Sequence, residues 1–202
     1  MKLIKEADEL ISECGTNITN RLESLKRLKH VLSLIRDKVI GNNCCKYFFM
    51  RNNILQILIP LLWMRDESNA EFTQTVHSCQ KDALTLFSVL ISQNGIIHWS
   101  DVSATDVFSN LLQLLQESTE QSVVNNPKFF EILTKSLVCF VKKMASTRDS
   151  TFRTDNLCKL FHLLNPKNSS PTICQNVALL ISTSCDTQAK QNQLIELKCP
   201  DL

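Results

Sequence analysis

Three leucine-rich segments recur along the chain: Leu58-Ile59-Pro60-Leu61-Leu62, Leu111-Leu112-Gln113-Leu114-Leu115 and Leu160-Phe161-His162-Leu163-Leu164. They end at residues 62, 115 and 164, intervals of 53 and 49 residues. Upstream of each runs a longer pattern with apolar residues three and four apart, the spacing of one helix face. These patterns are Leu22, Leu25, Leu28, Leu32, Ile35, Val39; then Val76, Ala83, Leu84, Phe87, Ile91; then Phe130, Leu133, Leu137, Phe140, Val141, Met144. A fourth begins at Ile173, Val177, Leu180, Ile181. A helix with one apolar stripe cannot bury itself, so a chain of such units is stable only if the units stack.

The connections follow the same plan. Gly41-Asn42-Asn43 and Asn94-Gly95 supply a break after the first two long helices. Asn53, Asp106 and Asp155, each eight residues before the first leucine of the closing pair, are types that tolerate the left-handed region or cap a helix. The expected unit is long helix, tight break, short helix, turn, medium helix, and the polar spacers 65–70, 117–127 and 165–171 read as loops. With 3 Gly and 5 Pro in 202 residues, the chain lacks the turn supply of a sandwich, a barrel or a phosphate-loop enzyme. The expectation is an all-α solenoid of about three units, 1–64, 65–116 and 117–165, with an incomplete fourth, 166–202, in one domain.

This pattern resembles armadillo and HEAT repeats, and the block Leu28 to Leu62, through Lys38-Val39-Ile40-Gly41-Asn42-Asn43 and Lys46, is similar to the armadillo-repeat scaffold subunits of CTLH (GID-like) ubiquitin ligases. The sequence departs from the family where its glycine before the second helix is replaced by Asn53, Asp106 or Asp155, where Pro60 sits inside a helix, and in repeat length. The resemblance implies a non-enzymatic protein-interaction scaffold whose long helices line a concave groove. Aligning the helix ends puts Ser33, Thr85 and Cys139 where nuclear-import receptors carry groove tryptophans, and Asp37, Val89 and Lys143 where they carry asparagines. That ladder is absent. With their neighbours, Arg36, Asp37, Val89, Lys142 and Lys143 are the candidate partner-binding residues. A centrosomal or ciliary armadillo scaffold and a groove-type peptide or cargo receptor are the competing readings.

Other chemistries have weaker support. Leu-x-x-Leu-Leu is the coactivator motif that lies in a partner's groove, but repeated at this spacing it reads as the inward stripe of packed helices. Adjacent Cys44-Cys45 cannot share a metal from one helix face, and the cysteines never occur as Cys-x-x-Cys. A Cys–His catalytic pair would have to be assembled by folding. Three scattered glycines cannot build a phosphate cradle. Arg21, Lys26, Arg27, Lys29, Arg36 and Lys38 are spread around one helix, a solvated face rather than a nucleic-acid track, and the net charge is only +2. No catalytic residue, metal or cofactor is expected, and neither nucleic acid nor membrane as a partner.

The N-terminus lacks the apolar run of a secretory signal. The apolar stretch Ile54–Met64 is 11 residues against the roughly 20 that span a bilayer. Nine cysteines, mostly within helical apolar patterns, fit reduced core thiols in a cytoplasmic or nuclear protein. In the fourth unit the break is expected at Ser182 to Thr187, with a short helix from Gln188 and Pro200 near the start of another. The stripe of Val177, Leu180, Ile181 and Leu194 then has nothing downstream to cover it. The expectation is a fragment or short isoform, or an end capped by another subunit.

Overall fold

The computed structural model describes residues 1–16, 20–64, 70–91 and 101–197, and within them every regular element is helical. The chain divides into two compact units, Met1–Trp99 and Ser100–Leu202, with the boundary inside the second repeat expected from spacing.

The N-terminal unit contains α1 (Lys2–Thr16), α2 (Arg21–Val39), α3 (Asn43–Arg51), α4 (Ile54–Trp63) and α5 (Ala70–Ile91). Its core is built as the stripes require: Leu25, Leu28, Leu32, Ile35 and Val39 of α2 are fully buried, with α5 packed alongside. Helix α1 buries Ile4, Ala7, Leu10, Ile11 and Cys14 against α2 and α4, a stripe in the sequence that the repeat pattern does not contain. The break after α2 is where a left-handed residue was expected: Gly41 has φ +71°, and the Asn42 side chain accepts from the Cys45 amide at 2.9 Å to cap α3. Asn53 turns the chain between α3 and α4 at φ +56°, the only positive φ among the described non-glycine residues. Asn tolerates this region because its short polar side chain carries little steric penalty there; a β-branched residue has no such escape. Asn53→Val is expected to cost about 1–2 kcal/mol and Asn53→Gly to be near neutral, read from urea unfolding. Pro60 lies on the exposed side of α4, which continues to Trp63.

The C-terminal unit contains α6 (Asp101–Gln116), α7 (Glu120–Asn125), α8 (Pro127–Lys143), a 3-10 turn at Ala145–Thr147, α9 (Arg148–Thr151), α10 (Thr154–Leu163), α11 (Pro171–Ser184) and α12 (Gln188–Glu196). Phe108, Leu111, Leu133, Leu137, Phe140, Val141, Leu157, Ile173, Val177 and Leu180 form its core. Pro127 and Pro171 occupy first helical positions, where a missing amide proton costs nothing. The break after α8 repeats that after α2 in order: a short stretch of helix at Ala145–Thr151, a turn, then α10 ending on a buried leucine.

Several local expectations are corrected. Asp106 is not a break, because α6 runs unbroken through it: Val107, Phe108 and Leu111 all bury on the same face, and the Asn110 side chain donates to the Asp106 carbonyl. The third turn falls at Phe152–Arg153, where Arg153 is extended (φ −67°, ψ 138°), and Asp155 sits in the first turn of α10, favourable to the helix dipole. The spacer 117–127 contains α7, capped by Thr119 and anchored by buried Val123. The expected break at Asn94-Gly95 and the position of Pro200 lie outside the described residues.

The C-terminal stripe is also corrected. Ile173, Val177 and Leu180 of α11 are fully buried and Ile181 nearly so, because α8 supplies the opposing face, with α9 and α10 beside it. The Asn176 amide donates to the Glu131 carbonyl and to Thr134 Oγ1, both at 3.1 Å, fixing that pairing. Helix α12 buries no residue and is held by polar links instead. Lys190 reaches Asp149 at 2.7 Å and Asp186 at 2.8 Å, its ammonium lies 5.4 Å from the Phe152 ring centroid, and Gln193 donates to the Phe152 carbonyl.

Candidate functional site

Arg36 and Asp37 stand in the last turn of α2 and Val89 in the last turn of α5, neighbouring helices of the N-terminal unit. Asp37 is exposed; Arg36 and Val89 are half-buried. The Arg36 guanidinium joins the two helices, donating to Asp82 Oδ1 of α5 at 3.4 Å and to Ser33 Oγ of its own helix at 3.2 Å, with Asp37 Oδ1 at 3.8 Å. Further up the same seam Lys26 reaches Glu71 at 2.8 Å. Lys142 and Lys143 are exposed in the last turn of α8, where cations complement the carbonyl end of the helix; they belong to the C-terminal unit. The five candidates therefore form one group of three and one of two. Ser33 and Thr85 in the N-terminal unit and Cys139 in the C-terminal unit are all half-buried.

Asp82 is the electrostatically unusual member of this seam. Burial pushes its carboxyl above the usual range, and neighbouring Arg36, Lys29 and Lys81 pull it only part of the way back. A carboxyl raised by folding binds its proton more tightly in the native state, so stability falls as pH rises through its titration range and is unaffected well below it. Asp82→Asn is therefore expected to gain stability relative to the parent on going from pH 3 to pH 7. Urea midpoints at the two pH values that differ by the same amount between parent and variant would contradict the assignment.

One residue that the sequence reading passed over holds this region together. The Gln80 side-chain amide of α5, almost wholly buried, donates to the carbonyls of Leu61, Leu62 and Met64 at 3.0–3.2 Å. It closes the C-terminus of α4, where the Leu61 carbonyl also accepts from the Met64 amide at 3.2 Å. The only sequence signal is a lone glutamine on an otherwise apolar helix face. Gln80→Leu keeps the volume but removes the donor, and is expected to cost about 1–3 kcal/mol in chemical unfolding, the penalty for under-satisfied buried carbonyls.

Three of the thiols are poorly suited to nucleophilic chemistry. Burial pushes Cys14 up to about 11 and Cys79 up to about 12, and raises Cys139 as well, the opposite of what a reactive thiolate needs. The eight described cysteines are free thiols. His162 is exposed and lies 2.9 Å from Glu120 Oε1, with the Asn168 amide at 3.1 Å, a surface link between α10 and α7. Among the described residues no group of three His, Cys, Asp or Glu side chains could hold a metal ion, and no helix is long and apolar enough to cross a membrane. The chain matches no family model, no curated protein and no solved structure.

Proposed function

We propose that this chain is an armadillo/HEAT-like solenoid that serves as a non-enzymatic protein-interaction scaffold in the cytoplasm or nucleus, of the kind used by CTLH-type ubiquitin ligases. The observation that carries the reading is the repeated order of elements: α2, a left-handed break, α3, a tight turn and α4 in one unit; α8, a short break, α9, a turn and α10 in the other. Each series ends on a buried leucine, Leu61–Leu62 or Leu163. Repetition of this kind suits multivalent presentation, in which two bound proteins raise each other's effective concentration without any chemistry by the scaffold. Enzymatic activity would then belong to a partner.

Arg36, Asp37, Val89, Lys142 and Lys143 are the proposed partner-contacting residues. Affinity purification of the chain from cells, followed by mass spectrometry, compares the parent with a variant carrying Asp37→Lys and Lys143→Glu. Loss of a defined set of folded partners in the variant is the expected result. Recovery of every partner at unchanged abundance would remove the support for this face. Ring-finger and Ran-binding-type subunits in the set would favour the ligase version, and centrosomal or ciliary proteins the alternative scaffold; enrichment of short charged peptides alone would favour a groove-type cargo receptor.

A further inference from the structure

Two consecutive helices of the C-terminal unit are attached in opposite ways. Helix α11 sinks Ile173, Val177, Leu180 and Ile181 into the core, with α8 as its main neighbour. Helix α12 buries no residue: Leu194 is half-buried and Ile195 is 74% exposed. Its 9 residues fall short of the roughly 12–15 that an isolated helix needs to persist in water. Helix α12 is therefore ordered only while it is held against the rest of the unit.

A charged node does the holding. The Lys190 ammonium of α12 lies 2.7 Å from Asp149 Oδ1 of α9 and donates to Asp186 Oδ1, in the connection from α11, at 2.8 Å. Arg148 of α9 donates to the other oxygen of Asp186 at 3.2 Å, and its Nε donates to the Val141 carbonyl of α8 at 3.0 Å, which ties the node to a core helix. Lys190 also stands 5.4 Å from the centroid of the buried Phe152 ring, and Gln193, one turn further along α12, donates to the Phe152 carbonyl at 2.9 Å. Convergence of these groups leaves the lysine side chain 13% exposed. Desolvation pulls its ammonium pKa down, but the hydrogen bonds and charges of Asp149 and Asp186 outweigh that and leave it above the ordinary lysine value. The charge is intact at neutral pH, and charge rather than buried apolar area closes α12.

We propose that α12 is an ionic strap: it detaches from α9 and unwinds as a unit while α6 to α11 stay folded, and the seat of Lys190 between Asp149 and Asp186 sets the balance between the two states. Closing lays Lys190 over Phe152; opening bares that ring to water. The Asp149 side chain is 85% exposed, so dissolved ions reach the outer pair and weaken it. Helix α12 has no buried stripe like that of α11 to offset the loss, so its opening free energy falls at the low end of those along the chain. The strap lies wholly within the C-terminal unit and uses none of Arg36, Asp37, Val89, Lys142 and Lys143.

Hydrogen exchange of the full chain, read peptide by peptide by mass spectrometry, tests the proposal at one pH in about 0.1 M and about 1 M sodium chloride, between which the Debye length falls from about 10 Å to about 3 Å. In the parent, peptides from α12 should be protected at the lower salt, yet exchange faster than those from α8 and α11. At the higher salt α12 should exchange several-fold faster still, while α8 and α11 do not speed up. Lys190→Met keeps an apolar stem and removes the charge; it should speed exchange of α12 about tenfold at the lower salt, since each lost ion pair and the ring contact contribute a few-fold, and should abolish the salt response. Asp149→Asn should act in the same direction by a smaller factor, and Lys135→Met, on the exposed side of α8, should leave α12 unchanged. Protection of α8 and α11 equal to the parent's establishes that each variant is folded. Exchange of α12 at the rate of α8 and α11 in the parent would show that it opens only with the whole unit and would overturn the proposal. So would an α12 unprotected at either salt, an α12 whose protection neither salt nor Lys190→Met alters, or a loss of protection in Lys190→Met and Asp149→Asn that extends equally to α8 and α11.

Discussion

Phe140→Ala is expected to destabilise the C-terminal unit by about 3–5 kcal/mol, the range for removing a buried phenylalanine from a core that collapses only in part. Phe140 is fully buried on α8, and its ring lies 5.8 Å from that of Phe108 on α6, tilted by 56°. Truncation removes the transfer free energy of the ring and leaves Phe108 facing a void. Hydrogen exchange followed by mass spectrometry reads the effect unit by unit: peptides from α6, α8 and α11 should lose protection together. A double-mutant cycle with Phe108→Ala should show a coupling of about 0.5–1.5 kcal/mol, the share due to the ring pair itself. A loss below about 1 kcal/mol for Phe140→Ala would mean that α6 and α8 do not pack as described.

Leu61→Ala is expected to cost about 2–5 kcal/mol in the N-terminal unit, and Leu163→Ala a similar amount in the C-terminal one. Both side chains are buried to within 1% of full occlusion. At Leu61 the side chain and the backbone do separate work: the leucine fills the core, while its carbonyl receives Gln80. Leu61→Ala and Gln80→Leu should therefore differ in origin, the first opening a cavity and the second removing a hydrogen-bond donor. Leu61→Met, which nearly conserves volume, should cost less than about 1.5 kcal/mol. Normal stability of Leu61→Ala in urea would show that the leucine pairs do not point inward and that the repeat alignment is wrong.

The helices were legible because their apolar residues recur at three and four: α2, α5, α8 and α11 lie where Leu25 to Val39, Val76 to Ile91, Phe130 to Val141 and Ile173 to Ile181 place them. The left-handed turn at Asn53 was also legible, since few residue types accept that conformation. Asp106 and Asp155 were misplaced for the same reason that Asn53 was found. An Asp is compatible with a turn, a cap or a first helical turn, and only packing against α8 and α10 decides that α6 continues through Asp106. Coverage of the α11 stripe by α8 depends on a contact between segments some 40 residues apart, which periodicity does not specify. Of the candidate site, the positions of Arg36, Asp37, Val89, Lys142 and Lys143 on their helices were readable from spacing, but the link from Arg36 to Asp82 was not.

The central claim, that this chain works as a scaffold for folded proteins, is tested most directly by the size at which it exists in a cell extract. Size-exclusion chromatography with quantitative mass spectrometry of each fraction supplies that measurement. The account predicts that the chain elutes far above its own 23.0 kDa, in a constant ratio to the same folded proteins at low and moderate salt. Elution at 23.0 kDa with no co-migrating protein at either salt concentration would contradict it.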